Sequence, residues 1–319
     1  MYYIVCLLQT IKPPTMWKTV IFLIFTLIVV PVIAFYYGQP PNEVQVSAFK
    51  STGTVYLIAA FLSFVVSTIT NNHSQVDKLW SIIPVAYAWI IAFHGDFSSR
   101  MILMAVLISI WGIRLTYNFS RRGGYSWKFW TGDEDYRWSV LSAKKEFQPK
   151  WKWILFNFFF ISLYQMGLIL LITFPMIKAI GGTPLGIIDY VLAFLFISFV
   201  IIETIADQQQ WKFQKEKHRL LAENKELKGI YAKGFVHTGL WKYSRHPNYA
   251  SEQIIWIITY FFSVTATGQW LNWSIMGCLL LVILFKGSSD FSEEITNNKY
   301  KTYKDYKSKT ARFIPFFTK

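Results

Sequence analysis

The segment Gly239–Glu252, which reads GLWKYSRHPNYASE, places several groups capable of binding or catalysis just before a strongly apolar run. These groups are Arg245, His246, Asn248 and Glu252. Ionisable side chains at the mouth of a membrane helix are costly to desolvate and usually have a function. The alternative is an interfacial anchor, in which the arginine and histidine only contact lipid headgroups.

Pro247 is well suited to the first turn of a helix, where its missing N–H costs nothing. A helix that starts there puts Asn248 and Glu252 on one face, four residues apart. The free N–H groups of the first turn, together with Lys242 and Arg245, form a natural seat for a phosphate. The segment therefore predicts an anion-binding helix start.

Two further helical faces carry polar groups at regular spacing. Arg114, Asn118 and Arg121 recur at intervals of four and three residues, so that one face presents two cations and an amide. Glu203 and Asp207 share another face at a spacing of four. The alternative for Arg114 and Arg121 is that they extend to the headgroups of the membrane.

Two loop-side clusters complete the candidate set. Asn71–His73 is followed by Asp77 and Trp80, and Glu134–Trp138 reads EDYRW. Asp77 could also be an ordinary acid in the first turn of a helix. The mixture of acid, phenol and guanidinium in Glu134–Trp138 is a poor lipid-facing surface, which favours a site.

The elements that must position these groups are membrane helices. The chain of 319 residues is 53% hydrophobic and 19% aromatic, which is typical of a multi-span membrane protein rather than a soluble domain. We expect an all-α bundle with about eight spans, because a helix needs about 20 residues to cross the bilayer. The apolar windows lie near 18–37, 52–70, 79–95, 100–118, 153–176, 185–206, 249–267 and 270–286. Residues 1–50 form a tail with the first span, and residues 51–319 form the membrane domain.

The basic residues predict the orientation of the bundle. Of 32 Lys and Arg, 25 lie in residues 119–152, 207–247 and 286–319. Eight spans with both termini in the cytoplasm put all three segments on the inner side, as cytoplasmic retention of basic loops requires. This distribution explains the net charge of +14 better than nucleic-acid binding does. A soluble, mixed-charge helix is predicted at Gln208–Lys228.

The cysteines and histidines predict no metal site. Cys6 and Cys278 provide neither a disulfide framework nor ligand spacing. The five histidines also lack metal-ligand spacing; they are His73, His94, His218, His237 and His246.

Taken together, these motifs resemble the steroid 5-alpha-reductase superfamily, and more closely its DUF1295 branch. The resemblance covers about Asn71 to Phe316. It rests on the Gly239–Glu252 motif, on the Glu203-x-x-x-Asp207 pair and on a tail with Tyr300, Tyr303 and Tyr306, together with Trp111-x-x-Arg114-Leu115 and Glu134–Trp138.

The resemblance implies a helical bundle that holds NADPH at its cytoplasmic end and admits a sterol-like enone from the lipid. By position, Asp207, Asn248 and Glu252 match cofactor-contacting residues, and Asp77 falls where the reductases keep a catalytic acid. The catalytic tyrosine of those enzymes would fall at Trp111, which has no phenol. Tyr136 or Tyr117 would then supply the proton, or the reaction differs. A second departure is Ser251, where relatives usually have glycine.

We therefore expect hydride transfer from NADPH to a conjugated carbon–carbon double bond in a lipid-soluble substrate. Arg121 and Arg245 would hold phosphates, and buried Asp77 or a tyrosine would donate the proton. The predicted catalytic residues are Asp77, Tyr136 and Glu252, and the predicted cofactor-binding residues are Arg114, Asn118, Arg121, Asp207, Arg245, His246, Asn248 and Tyr249.

Two other functions stay open. Isoprenylcysteine carboxyl methyltransferases share the Arg-His-Pro-x-Tyr element and a tyrosine-rich tail, so an S-adenosylmethionine-dependent membrane methyltransferase is the second reading. A non-catalytic membrane scaffold is the third. In each case the partners are membrane lipids, with a lipid-soluble small molecule for the enzymes and no nucleic acid. The host membrane would be the inner membrane of a bacterium or the endoplasmic reticulum of a eukaryote.

Overall fold

The computed structural model describes residues 29, 32–33 and 39–315. Residues 39–315 contain helices and no β-strand, and one isolated parallel bridge joins Ser244 to Ala311. The predicted all-α class is confirmed. The α-helices are α1 (Glu43–Thr70), α2 (Gln75–Trp80), α3 (Ile83–His94), α4 (Ser99–Ser120), α5 (Tyr136–Ser142), α6 (Lys150–Phe156), α7 (Gln165–Leu171), α8 (Phe174–Lys178), α9 (Ile187–Ala222), α10 (Pro247–Thr267), α11 (Met276–Lys299) and α12 (Tyr303–Lys309). A π-helix spans Asn157–Tyr164, and 3-10 turns span Lys145–Phe147, Gly229–Tyr231, Gly239–Lys242 and Trp273–Ile275.

Six helical segments of the described chain are long and apolar enough to cross a membrane. They are Glu43–Thr70, Gln75–His94, Ser99–Ser120, Lys150–Lys178, Ile187–Ala222 and Trp273–Lys299. The expectation of a multi-span membrane protein is thereby confirmed. Most of the window predicted at 18–37 lies outside the described residues. The count of eight spans and the cytoplasmic termini stay predictions.

Helix α9 is longer than its apolar window. It runs without a break for 36 residues, past the predicted span end at 206 and through most of the helix predicted separately at Gln208–Lys228. At about 1.5 Å per residue it exceeds the roughly 30 Å hydrocarbon core. The chain has no glycine or proline in this stretch, and its glutamines, lysines and glutamates are good helix formers. The polar end of α9 therefore extends beyond the apolar bundle.

Helix α10 lies among other helices. It packs against α8, α9 and α11, and its buried residues include polar ones along most of its length. Ser251, Glu252, Gln253, Thr259 and Ser263 are all buried. Its window at 249–267 was predicted from apolar residues, yet here the helix brings polar groups into the centre of the bundle. Such groups need partners inside the protein.

A buried ion pair joins helices α4 and α9 at the end of the bundle away from Glu252. Arg100 donates from Nε to Asp189 Oδ1 at 3.0 Å and from Nη2 to Asp189 Oδ2 at 2.9 Å. The same guanidinium donates to the carbonyl oxygens of Thr183 and Pro184. Thr265 of α10 adds a hydrogen bond to Asp189 at 2.9 Å. This bidentate contact fixes three parts of the bundle to one another.

The π-helix contains a second buried polar contact. Asn157 donates to Ser67 Oγ at 2.9 Å and to Thr68 Oγ1 at 3.1 Å, so it links the π-helix to α1. Side-chain amides and hydroxyls of this kind hold membrane helices together where the hydrophobic effect does not act.

Candidate functional site

The helix predicted to start at Pro247 does so. His246 is the N-cap residue, Pro247 occupies the first turn, and Asn248 and Glu252 lie one turn apart. The preceding segment is held against α9, because Leu240 N donates to Gln209 Oε1 at 2.9 Å and Trp241 Nε1 donates to the Ala206 carbonyl at 3.1 Å. The chain that leads into α10 is therefore fixed beside the acids of α9.

Four side chains from three helices meet at this point. Arg114 of α4 lies 2.7 Å from Glu203 Oε1 and 2.5 Å from Asp207 Oδ2, so it bridges the two acids that share a face of α9. Asn248 of α10 donates to Asp207 Oδ1 at 3.0 Å. The structure brings these residues together, as the sequence predicted. Asp207 of α9 contacts both Arg114 of α4 and Asn248 of α10, so it joins the three helices.

Glu252 lies beside this cluster and is held by two indoles. Trp111 Nε1 donates to Glu252 Oε2 at 2.8 Å, and Trp256 Nε1 donates to Glu252 Oε1 at 3.1 Å. The two indole rings meet edge to face with their centroids 4.9 Å apart. Trp111 is fully buried, and its indole orients a carboxylate.

Asn118 and Arg121 continue the network along α4. Asn118 Nδ2 donates to Asp207 Oδ2 at 2.8 Å, and its oxygen accepts from Arg121 at 2.6 Å and 3.0 Å. Arg121 also donates to Gln208 Oε1 at 2.5 Å and lies over the Trp211 ring at 5.3 Å. The Arg121 guanidinium therefore orients the Asn118 amide. The spacing of Arg114, Asn118 and Arg121 in the sequence does not distinguish this role from phosphate binding.

Arg245 is engaged in a similar way by the end of the chain. Its Nε donates to Glu293 Oε1 at 2.7 Å, and its Nη1 donates to the carbonyls of Lys307 and Thr310. His246 Nε2 lies 3.0 Å from the same Glu293 oxygen, and burial lowers the pKa of His246. The Arg-His pair therefore anchors α11 and α12 to the start of α10. Glu293 was not among the predicted catalytic or cofactor-binding residues, although the pair Glu293-Glu294 precedes the tyrosines of the tail that resembles the membrane methyltransferases.

A cavity of about 1080 Å³ opens beside these residues. Eight of the predicted site residues line it: Asn118, Tyr136, Asp207, Arg245, His246, Asn248, Tyr249 and Glu252. Asp77, Arg114 and Arg121 are not among its lining residues. The wall also includes Arg122, which follows Arg121 in the sequence, and residues that the sequence did not indicate as part of a site, namely Gln210, Trp211, Lys215, Lys217, Phe285 and Lys299.

Asp77 is half-buried and is not among the residues that line the cavity. Its Oδ2 accepts from Trp138 Nε1 at 3.0 Å. Asp135 and Arg137, which are near Asp77 and do line the cavity, form an ion pair at 2.8 Å. A catalytic role for Asp77 stays a prediction. Tyr136 lines the cavity instead, and desolvation raises the pKa of its phenol, which stays protonated at neutral pH.

The loop that leads into α5, which begins at Tyr136, is held against α2 and the residue His73 before it by hydrogen bonds. His73 Nδ1 lies 3.1 Å from Glu134 Oε1, and Trp153 donates to His73 Nε2 at 2.9 Å, which makes Nδ1 the donor. Lys78 donates to the carbonyls of Phe129 at 2.9 Å and Thr131 at 2.6 Å. The polar clusters at 71–80 and 134–138 were recognised in the sequence, but the sequence did not predict that the two segments contact each other.

We expect the Lys78→Met variant to loosen this loop. Two charge-assisted hydrogen bonds disappear, each worth about 1.5–3 kcal/mol, and two backbone carbonyls lose their donor. Chymotrypsin, which cuts after aromatic residues, is therefore expected to cleave residues 125–138 about tenfold faster or more. The control is Lys128→Met, which removes an exposed lysine of the same loop. Equal cleavage rates for the two variants would contradict the conclusion that Lys78 holds this loop in place.

Several buried acceptors on the cavity wall have no hydrogen-bond partner among the described residues. They are Glu203 Oε2, Gln210 Oε1 and Asn248 Oδ1. The orientation of Asn248 is fixed, because Asp207 can only accept and must face the amide nitrogen. Buried polar atoms are normally satisfied, so these oxygens fit a ligand that presents N–H groups.

Comparison with known proteins gives a family. The family model for "Protein of unknown function (DUF1295)" matches residues 63–310. An uncharacterized protein of Schizosaccharomyces pombe is 35% identical over 281 residues, which are 82% of this chain and 79% of that protein. No solved structure matches the chain.

Proposed function

This chain belongs to the DUF1295 family, and we propose that it is an integral membrane oxidoreductase that uses NADPH to reduce a carbon–carbon double bond in a lipid-soluble enone or sterol-like substrate. The observation that carries the proposal is the cavity with an acidic inner end and a basic remainder. Glu203, Asp207 and Glu252 mark the inner end. Arg122, Lys215, Lys217 and Lys299 mark the basic part.

The size and polarity of the cavity fit a dinucleotide. Its volume of about 1080 Å³ is slightly above the roughly 300–1,000 Å³ typical of small-molecule sites. The basic residues suit phosphates, and aromatic rings of Trp211, Phe235 and Trp241 suit a flat base. The unpartnered oxygens of Glu203 and Asn248 suit the N–H groups of a carboxamide.

The remaining wall is suited to a lipid-soluble substrate. Trp80, Leu115, Phe285 and Ile295 line it with apolar surface, and all four lie on or beside membrane-spanning segments. Tyr136 is more than half exposed and lines the same cavity, so its hydroxyl is available to a substrate carbonyl. Among the two phenols that the sequence offered, Tyr117 is not among the lining residues.

The chemistry divides between cofactor and protein. When bound, the reduced nicotinamide supplies a hydride, and the protein supplies orientation and electrostatics. Asp207 and Glu252 place negative charge at the inner end, where it stabilises a positive charge that develops during hydride loss. Arg114, Asn118 and the two indoles of Trp111 and Trp256 hold those carboxylates in position.

The charge of the cavity favours a polyanion over a methyl donor. S-adenosylmethionine has no phosphate to pair with Arg122, Lys215, Lys217 and Lys299, although its sulfonium cation would suit the acidic inner end. NADPH has several phosphates that these side chains attract. Titration of the purified protein in nanodiscs with each ligand tests the proposal. Binding of S-adenosylmethionine without binding of NADPH would favour a methyltransferase, and binding of neither would favour a scaffold.

We expect the Arg122→Gln variant to bind NADPH roughly 10- to 100-fold more weakly, because it loses a charge-assisted contact to phosphate worth about 1.5–3 kcal/mol. Arg122 lines the cavity, and its Nη2 lies 4.0 Å from Asp207 Oδ1. Isothermal titration measures the dissociation constant. Arg219→Gln is the control, since Arg219 is exposed near the end of α9, pairs with Glu216 and Glu223, and does not line the cavity. An unchanged dissociation constant for Arg122→Gln would mean that the phosphates of NADPH do not bind in this part of the cavity.

A further inference from the structure

Lys217 of α9 is a buried cation that has no carboxylate beside it. The residue lines the cavity and is 5% exposed. The ionisable groups around its ammonium in the described chain are Tyr300 and Lys299, and the adjacent acid Glu216 pairs with Arg219. The residues outside the described part of the chain include no aspartate or glutamate. Because a buried ammonium without a counter-charge is unfavourable, a bound anion would stabilise this group.

The guanidinium groups that line the cavity differ from Lys217, because each lies near an acid of the protein. The pairs are Arg122 with Asp207, Arg137 with Asp135 and Arg245 with Glu293, at N–O distances of 4.0, 2.8 and 2.7 Å. The protein itself therefore offsets part of their charge. No side chain of the described residues does the same for Lys217, so its charge is available to a ligand.

The ammonium of Lys217 lies between groups that belong to the cavity wall. Its Nζ donates to the carbonyl oxygen of Gly234 at 3.1 Å and lies 5.9 Å from the centroid of the Tyr300 ring. Gly234, Tyr300 and Lys299 all line the cavity. Gly234 has a φ of +77°, and a side chain there would overlap the Tyr300 ring, so this arrangement requires glycine. An ammonium has three N–H donors, and the bond to Gly234 leaves donors for a ligand.

The cavity follows α9 from its acidic inner end to Lys217. The lining residues of this helix are Glu203, Asp207, Gln210, Trp211, Gln214, Lys215, Lys217 and His218. Lys217 follows Asp207 by ten residues, which correspond to about 15 Å along the helix axis. Arg122, by contrast, lies 4.0 Å from Asp207. The cavity therefore has two separate cationic positions, one at the inner end and one at Lys217.

We propose that Lys217, with Lys299 and Tyr300, forms a subsite for a phosphate monoester and thereby selects NADPH over NADH. This inference rests on the proposed reductase function. The pyrophosphate of a dinucleotide lies between its two nucleosides, whereas the phosphate that distinguishes NADPH from NADH lies on the adenosine ribose. With the nicotinamide at the acidic inner end, the pyrophosphate faces Arg122 and the ribose phosphate faces Lys217.

The charge of a phosphate monoester matches this subsite. Such a group carries about 1.5 to 2 negative charges at neutral pH. The ammonium groups of Lys217 and Lys299 repel each other, and an anion that contacts both removes that repulsion. NADH has a hydroxyl group at the same place on the ribose and offers no such compensation.

The Lys217→Met variant tests the proposal, because methionine is also long and unbranched but carries no charge. The full chain in nanodiscs is titrated by calorimetry with NADPH and with NADH. The wild type is expected to bind NADPH tighter than NADH by about tenfold or more, and Lys217→Met to raise the dissociation constant of NADPH by about 10- to 100-fold. The dissociation constant of NADH is expected to stay nearly unchanged. Lys212→Met is the control, since Lys212 is exposed on the same helix and does not line the cavity.

Equal weakening of NADPH and NADH by Lys217→Met overturns the proposal, since Lys217 would then only support the carbonyl of Gly234 and the shape of the cavity. An unchanged dissociation constant of NADPH overturns it as well. Lys299→Met is a second variant whose folding is little affected, because Lys299 is exposed. It is expected to weaken NADPH and not NADH, and the opposite result counts against the subsite.

A fragment of the cofactor separates this subsite from the reductase function. Adenosine 2′-phosphate carries the ribose phosphate and no nicotinamide. If the wild type binds no NADPH, the proposed reductase function fails, and titration with adenosine 2′-phosphate still decides whether Lys217 binds a phosphate monoester. Binding that is lost in Lys217→Met supports the subsite. Equal binding by the two proteins, or no binding by the wild type, overturns it.

Discussion

The Arg114→Gln variant is expected to lose about 3–5 kcal/mol of unfolding free energy and to lose measurable NADPH binding. The guanidinium bridges Glu203 and Asp207, which are 4% and 3% exposed, so its removal leaves buried carboxylates without their cation. Breaking a buried pair by removing one partner has a cost of this size. Asp207 would also lose a contact that orients it toward Asn248.

Unfolding by SDS titration in mixed micelles gives the free energy, and isothermal titration well below the midpoint gives the affinity. An exposed arginine provides the stability control. Arg219→Gln, on the solvated part of α9, is expected to leave the midpoint unchanged. A variant of Arg114 that is as stable as the wild type and binds NADPH equally well would contradict the site as we describe it.

The second large effect is expected at the other end of the same helix. The Arg100→Gln variant loses a bidentate contact with Asp189, which is 1% exposed, and is likewise expected to lose about 3–5 kcal/mol. It is expected to leave the dissociation constant of NADPH unchanged, because neither Arg100 nor Asp189 lines the cavity.

The two arginine variants form a matched pair. Both remove a buried guanidinium from α4, both orphan a buried aspartate of α9, and only one of them lies at the cavity. An equal loss of affinity in the two variants would mean that the ligand effect of Arg114→Gln is a consequence of general destabilisation. Loss of affinity in Arg114→Gln alone supports a ligand site at the inner end.

Local features of the site were predictable from the sequence. Pro247 begins its helix because proline tolerates the first turn, and Asn248 and Glu252 then fall on one face. Glu203 and Asp207 share a face because residues four apart lie about one helical turn from each other. The all-α class followed from apolar runs of bilayer length.

The partners of these residues were not predictable in the same way. Arg121 and Arg245 were expected to bind phosphate, and the sequence did not indicate that their guanidinium groups contact Asn118 and Glu293. Arg245 and Arg122 line the cavity, whereas Arg121 is not among its lining residues. Asp77 was expected at the reacting centre; it accepts from Trp138 and is not among the residues that line the cavity. The helical period determines in which direction a side chain points from the axis of its own helix. It does not determine which other helix packs against that face.

The sequence by itself determined the helical class, the membrane-spanning character, the family and the residues that share each helical face. The tertiary structure alone decided that Trp111 holds Glu252, that Arg114 joins α4 to α9, and that Tyr136 rather than Asp77 lines the cavity. The physical reason is range. Period, capping and hydropathy act within one helix, whereas a hydrogen bond between residues 141 positions apart exists only after several helices have packed in one arrangement.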